Sequence, residues 1–198
     1  MKSVSRWSRP ALWLCGLLTA ATSALAAQPP LPGDSVLQLP GVFVDQASRR
    51  FTLATRRGQP QLISMFYANC QSVCPLLIET STAVVNTLEP AQRSRLRVLL
   101  VSLDPARDTP VALAQVVRDH RLDTTRWTLA RTEPAVVRRL AAVLDIRYRQ
   151  LEGGEFNHTS VLILLDEQGR MLARTEQLGA RPDPQFVAAI RGALRQGN

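Results

Sequence analysis

Cys70 and Cys74 carry the chemistry most easily read from this chain. They stand in Tyr67-Ala68-Asn69-Cys70-Gln71-Ser72-Val73-Cys74-Pro75, after the apolar run 61–66 and before a helix-like stretch. Two thiols at a strand-to-helix turn can hold a soft metal, cycle through a disulfide, or form an inert structural bridge. On a helix beginning around 70–74, the i, i+4 spacing turns both side chains to one side, with Cα atoms about 6 Å apart, a separation a disulfide tolerates. The positive end of the helix favours thiolate, the form that binds metal and attacks disulfides. A bridge closing so short a loop would stabilise little.

A stable thiolate metal site needs a further donor, and the chain has two histidines. His120 ends a predicted helix between Asp119 and Arg121, and reads as a solvent-facing C-terminal residue complementing the helix dipole. His158 stands in Phe156-Asn157-His158-Thr159-Ser160, at the start of an apolar strand whose lead-in should pack against the cysteine turn. Cys70, Cys74 and His158 would form a compact, soft, three-coordinate set. Softness selects copper(I), and the imidazole also suits copper(II), one ion per chain. Zinc usually wants four donors. Asp104 has two readings: a charge-tuning group beside the site, or a turn-former in Asp104-Pro105. Asp108 reads as structural.

The N-terminus reads as a targeting segment. Lys2, Arg6 and Arg9 make a positive n-region, residues 11–21 an apolar stretch too short to span a bilayer comfortably, and Ser23-Ala24-Leu25-Ala26 a cleavage site. A cut after Ala26 leaves 172 of 198 residues, one domain, in the periplasm. The alternative is an uncleaved anchor in the inner membrane. Lipidation at Cys15 is disfavoured by the bulky Leu14 before it. In an oxidising compartment an exposed thiol pair closes unless something reduces it.

Three of the 24 cations fall in the leader, leaving 21 against 16 carboxylates. All the remaining positive charge is arginine, dispersed rather than blocked, with little aromatic interleaving. Pattern and export both argue against nucleic acid. A mildly basic surface suits acidic partners or an anionic membrane face.

The domain divides into 1–26 signal peptide, 27–40 Pro-rich lead-in and 41–198 folded domain. Within the last, strands are predicted at 61–67, 97–103, 127–130 and 159–165, and helices at 75–88, from Pro110 to about His120, at 133–144 and from Pro184 to near Arg195. Residues 146–157 read as a loop or hairpin, and 166–170 as a tight turn into a strand at 171–174. The order βαβαβαββα demands parallel pairing with one antiparallel hairpin near the end. This is an α/β class, a central mixed sheet flanked by helices, and a thioredoxin-like layout fits it.

Three motifs in order then carry a resemblance. Cys70-x-x-x-Cys74-Pro75 follows one apolar strand, Asp104-Pro105-x-x-Asp108-Thr109-Pro110 the next, and His158-Thr159-Ser160 leads into a strand ending at Asp166-x-x-Gly169. Over roughly 41–175 the chain resembles the Sco/SenC family, although Tyr67-Ala68-Asn69 replace that family's small and hydroxyl residues before the first cysteine. The resemblance implies a thioredoxin-like domain that binds copper through Cys70, Cys74 and His158. It implies a role in maturing the binuclear copper site of cytochrome c oxidase, by metal transfer or by reducing that site's cysteines. Partners would then be the copper-site subunit of a terminal oxidase or another cuproprotein, a periplasmic copper donor and a thioredoxin-like reductant. The competing function is a thiol–disulfide oxidoreductase using Cys70 and Cys74 as its redox pair, against which stands the two-residue spacing of thioredoxin-type catalysts. A copper or redox sensor without transfer activity is the third.

Overall fold

The computed structural model describes residues 29–69 and 73–196. In chain order the elements are β1 (Phe43–Asp45), β2 (Arg50–Phe51), β3 (Gln61–Phe66), α1 (Val73–Asn86), α2 (Pro90–Arg95), β4 (Arg97–Ser102), α3 (Pro110–Asp119), β5 (Trp127–Arg131), α4 (Pro134–Val143), β6 (Tyr148–Gln150), β7 (Phe156–His158), β8 (Leu162–Leu165), β9 (Met171–Thr175) and α5 (Pro184–Gln196). The signal-peptide reading of 1–26, Cys15 and Cys70 lie outside the described residues.

Seven strands make one mixed sheet in the order β2-β1-β5-β4-β3-β8-β9, and β6 and β7 pair separately as a ribbon. β3 runs parallel to β4, and β4 to β5, while β8 lies antiparallel to β3. Every residue of β3 is buried, as its near-continuous apolar sequence requires of a strand covered on both faces.

The two-residue period sorts the core. Leu62 and Phe66 of β3, with Val98 and Leu100 of β4, face a layer built on α1, α3 and α5. Ile63 and Met65, with Leu99 and Val101, face α4 and the N-terminal segment. The helix starts follow the punctuation in the sequence. Thr109 caps α3, its hydroxyl accepting from the Ala112 amide at 3.3 Å, with Pro110 in the first turn. Asp183 does the same for α5, accepting from the Gln185 and Phe186 amides.

The segment read as a Pro-rich lead-in packs onto the domain through its last residues. Val36 and Leu37 are buried in the core, the Val36 amide donates to the Gly169 carbonyl at 2.9 Å, and the Ser35 hydroxyl donates to the Gln168 carbonyl. Gly169, at φ +82°, closes the β8–β9 turn so tightly on Leu37 that a Cβ there would collide with that side chain. Two further elements escape the sequence pattern. The β1–β2 hairpin and α2 are too short, and α2 has no buried residue to give it a period.

Candidate metal centre

Topology puts the predicted site on one edge of the sheet. Because β3 and β4 are parallel, the chain leaving each emerges at the same edge: 67–69 from one, 103–109 from the other. Because β8 is antiparallel to β3, with Ile63 opposite Ile163, the chain leading into β8 lies beside the chain leaving β3. The buried Ser64 hydroxyl donates to the Val161 carbonyl and ties the two together.

His158 accordingly reaches the start of the cysteine segment. Its ring meets Tyr67 edge-on, centroids 6.1 Å apart. Tyr67 in turn packs on Phe156 at 5.4 Å, and Phe156 on Tyr148 at 6.2 Å. Tyr148 is opposite His158 in the β6–β7 ladder. Cys74 lies in the first turn of α1; α1 begins at Val73 among the described residues.

The His158 ring is set up as a donor. Nδ1 lies 3.2 Å from the Thr159 carbonyl oxygen. A carbonyl can only accept, so the proton belongs on Nδ1 and the lone pair on Nε2. Nε2 is buried and has no hydrogen-bond partner among the described residues. Burial also lowers the imidazole pKa below its usual range, against a weaker opposing pull from the Thr159 carbonyl. The ring is therefore held neutral, the form that binds metal. An orphaned buried nitrogen costs on the order of 1–3 kcal/mol, and a metal ion would satisfy it. Ligating histidines characteristically donate their other N–H to a carbonyl or carboxylate in this way.

The two aspartates of the second motif do different work. Asp108, read as structural, is the one that touches the cysteine segment. Its Oδ2 accepts from the Ala68 amide at 3.0 Å and from the Ser102 hydroxyl. It is 2% exposed, and desolvation raises its pKa despite those two hydrogen bonds. Asp104 is also buried, but its carboxylate pairs with the Arg107 guanidinium, while its amide donates to the Ser102 hydroxyl at 2.9 Å. Both readings of Asp104 thus find a feature: its carbonyl accepts from the Arg107 and Asp108 amides in a turn, and its carboxylate holds an arginine that reaches the His158 hairpin. Arg107 donates there to the Gly154 carbonyl in the β6–β7 turn. Gly154 sits at φ +82°, and a Cβ on it would come within 2.7 Å of that guanidinium. Neither Arg107 nor Gly154 carries a sequence signal for this link. His120 is exposed at the end of α3, where its amide donates to the Val116 carbonyl, in keeping with a helix-terminal role.

A mixed sheet that delivers a cysteine-bearing segment and a histidine hairpin to one edge defines a thioredoxin-like protein. The SCO1/SenC profile matches residues 33–195, and the chain belongs to the SCO1/SenC family. Its relatives include a "Putative copper-binding protein" of Stutzerimonas stutzeri, 28% identical over 40% of this chain, a match spanning only 39% of that relative's length. The SCO2-like protein RC0895 of Rickettsia conorii is 25% identical over 82% of this chain and 80% of its own. Among solved structures, Bradyrhizobium japonicum ScoI with copper bound superposes with a TM-score of 0.64 at 22% identity, covering 78% of this chain and 97% of that one. BsSco, described as a cytochrome c oxidase assembly protein with a disulfide switch, superposes with a TM-score of 0.66 at 20% identity, covering 79% and 93%. Likeness at this identity shows the fold. No helix among the described residues is long and apolar enough to cross a membrane.

Proposed function

We propose that this protein is a periplasmic copper metallochaperone that helps mature the binuclear copper site of cytochrome c oxidase, holding one copper ion through Cys70, Cys74 and His158. The observation that carries this reading is the buried Nε2 of a neutral His158 beside the start of the cysteine segment, with no hydrogen-bond partner among the described residues. Copper-bound and oxidase-assembly relatives support the choice of metal and client. Two thiolates and an imidazole suit copper(I) by softness, and copper(II) through the imidazole. A three-donor set also leaves the ion accessible to a receiving ligand, which a carrier requires. Partners are then an oxidase copper-site subunit or another cuproprotein, a copper donor and a thioredoxin-like reductant. The N-terminal segment serves as the export signal, or as an inner-membrane anchor if it is not cleaved.

Cys74 in the first turn of α1 favours a second reading on the same residues, because that position promotes thiolate. As a reductant, the dithiol would give two electrons and two protons to a client disulfide, closing Cys70–Cys74 while the client's cysteines open. That step abolishes the copper site, so metal delivery and client reduction are successive uses of one thiol pair.

Competition titration of the reduced protein with copper(I) tests the proposal. The wild type should take up one tight equivalent, and Cys70→Ala, Cys74→Ala and His158→Ala should each lose or greatly weaken it. Binding indifferent to His158→Ala overturns the three-donor site and leaves the reductant reading.

A further inference from the structure

Beside the hairpin that carries His158, α4 and the β6–β7 ribbon enclose an open groove of about 660 Å³. Its floor is apolar, with Val137, Ala141, Ile146 and Phe156 among its lining, and its rim carries Arg138, Arg147 and Arg149. A second groove of about 370 Å³ shares Pro105, Ala106 and Pro134 with the first and adds Arg50 and Arg131. None of these five arginine side chains has a hydrogen bond or ion pair among the described residues. The carboxylates lining the grooves are few: Asp104, already paired with Arg107, and Glu133, at the cap of α4.

We infer that this double groove is a docking site for an acidic segment of a partner protein, one that seats an apolar side chain on the floor and sets carboxylates against the arginine rim. Charge selects the occupant. Residues 1–28 of this chain carry Lys2, Arg6 and Arg9 and no carboxylate, so the chain's own N-terminal segment would be repelled. A second copy, formally at +8, would be repelled too. Shape argues against a lipid surface, because a planar headgroup layer cannot fill a concave, apolar-floored channel. Uncompensated guanidinium groups bind carboxylates bidentately and steer them from a distance. The location gives the contact its use. Phe156 lines the groove on one side and packs against Tyr67 on the other, so a segment seated here lies one hairpin from the copper site. This last point rests on the proposed function; the binding itself does not.

The experiment measures fluorescence anisotropy of a short labelled peptide alternating glutamate and leucine against the copper-free full chain, beside a lysine–leucine counterpart. The glutamate peptide should bind, the lysine peptide should not, and added salt should weaken the complex. Arg138→Glu should weaken it roughly tenfold or more, whereas Arg195→Glu, the same charge change on α5 across the sheet, should leave it near wild type. Equal binding of both peptides, or indifference to Arg138→Glu, overturns the inference. So does absence of glutamate-peptide binding, and Arg138-dependent association to phosphatidylglycerol vesicles would then make the surface a membrane contact. Copper(I) titration of Arg138→Glu should match wild type, so a failure of the copper reading shows separately in the wild-type titration.

Discussion

At the scale of single residues, His158 joins a burial cost to the metal-binding role proposed for it. Its Nε2 has no partner among the described residues, and burial holds its pKa below the usual value. In the copper-free protein this sets a sign for stability against pH. Below about 6.5 the unfolded chain takes up a proton on this ring that the folded chain refuses. Stability from this residue is therefore present above that pH and is lost as pH falls through the lower folded value. The urea midpoint should fall less between neutral and mildly acidic pH for His158→Gln than for wild type; an equal fall would deny that the ring is held neutral. Asp108 is the second residue whose role is local. Removing its carboxylate orphans the Ala68 amide and takes the acceptor from the Ser102 hydroxyl, which keeps only the bond it accepts from the Asp104 amide. Asp108→Ala should cost about 2 kcal/mol by urea denaturation and speed hydrogen exchange at the Ala68 amide. Asp108→Asn, which keeps an accepting oxygen and sheds a buried charge, should retain most of both. The sequence motif named these two aspartates as a pair but could not say which side chain turns toward the cysteines. That direction is set by where β4 ends relative to β3, a tertiary fact.

Among the elements, the β6–β7 ribbon depends on contacts outside its own ladder. Two-stranded ribbons are marginal by themselves, and this one is not hydrogen-bonded into the main sheet. It is held by the Tyr148–Phe156–Tyr67 stack and by Arg107, which bridges Asp104 to the Gly154 carbonyl. Arg107→Ala takes the partner from the buried Asp104 carboxylate and should cost about 1–3 kcal/mol, accelerate amide exchange in 148–158 and weaken copper(I) binding. Unchanged exchange in the ribbon would show that the aromatic stack alone suffices. Gly153-Gly154 marked 146–157 as a loop or a hairpin, and the structure has the hairpin. Its tether was not legible, because the long-range bond from Arg107 leaves no local pattern. The same contrast runs through the fold. The strands β3, β4 and β8 declare themselves as apolar runs, while β1, β2 and α2 have too few residues to show a period.

At the scale of the molecule, the βαβαβαββα order was sufficient to demand a mixed sheet, and a mixed sheet with antiparallel β8 is what returns His158 to the edge where β3 ends. The candidate site is thus a consequence of topology more than of local sequence. Its positive surroundings are too: Arg147 and Arg149 flank His158 in a depression of about 410 Å³, and Arg138 reaches the same ribbon from α4. The extent of packing by residues 35–39 could not be read from proline content, because burial of Val36 and Leu37 depends on the distant Gly169 turn. What the whole arrangement asserts is a specific donor set. X-ray absorption at the copper edge of the reduced, copper(I)-loaded protein reads that set directly. Two sulfur donors and one nitrogen donor are expected, with the nitrogen lost in His158→Ala. A sulfur-only spectrum in the wild type, or a nitrogen donor that survives His158→Ala, would contradict it.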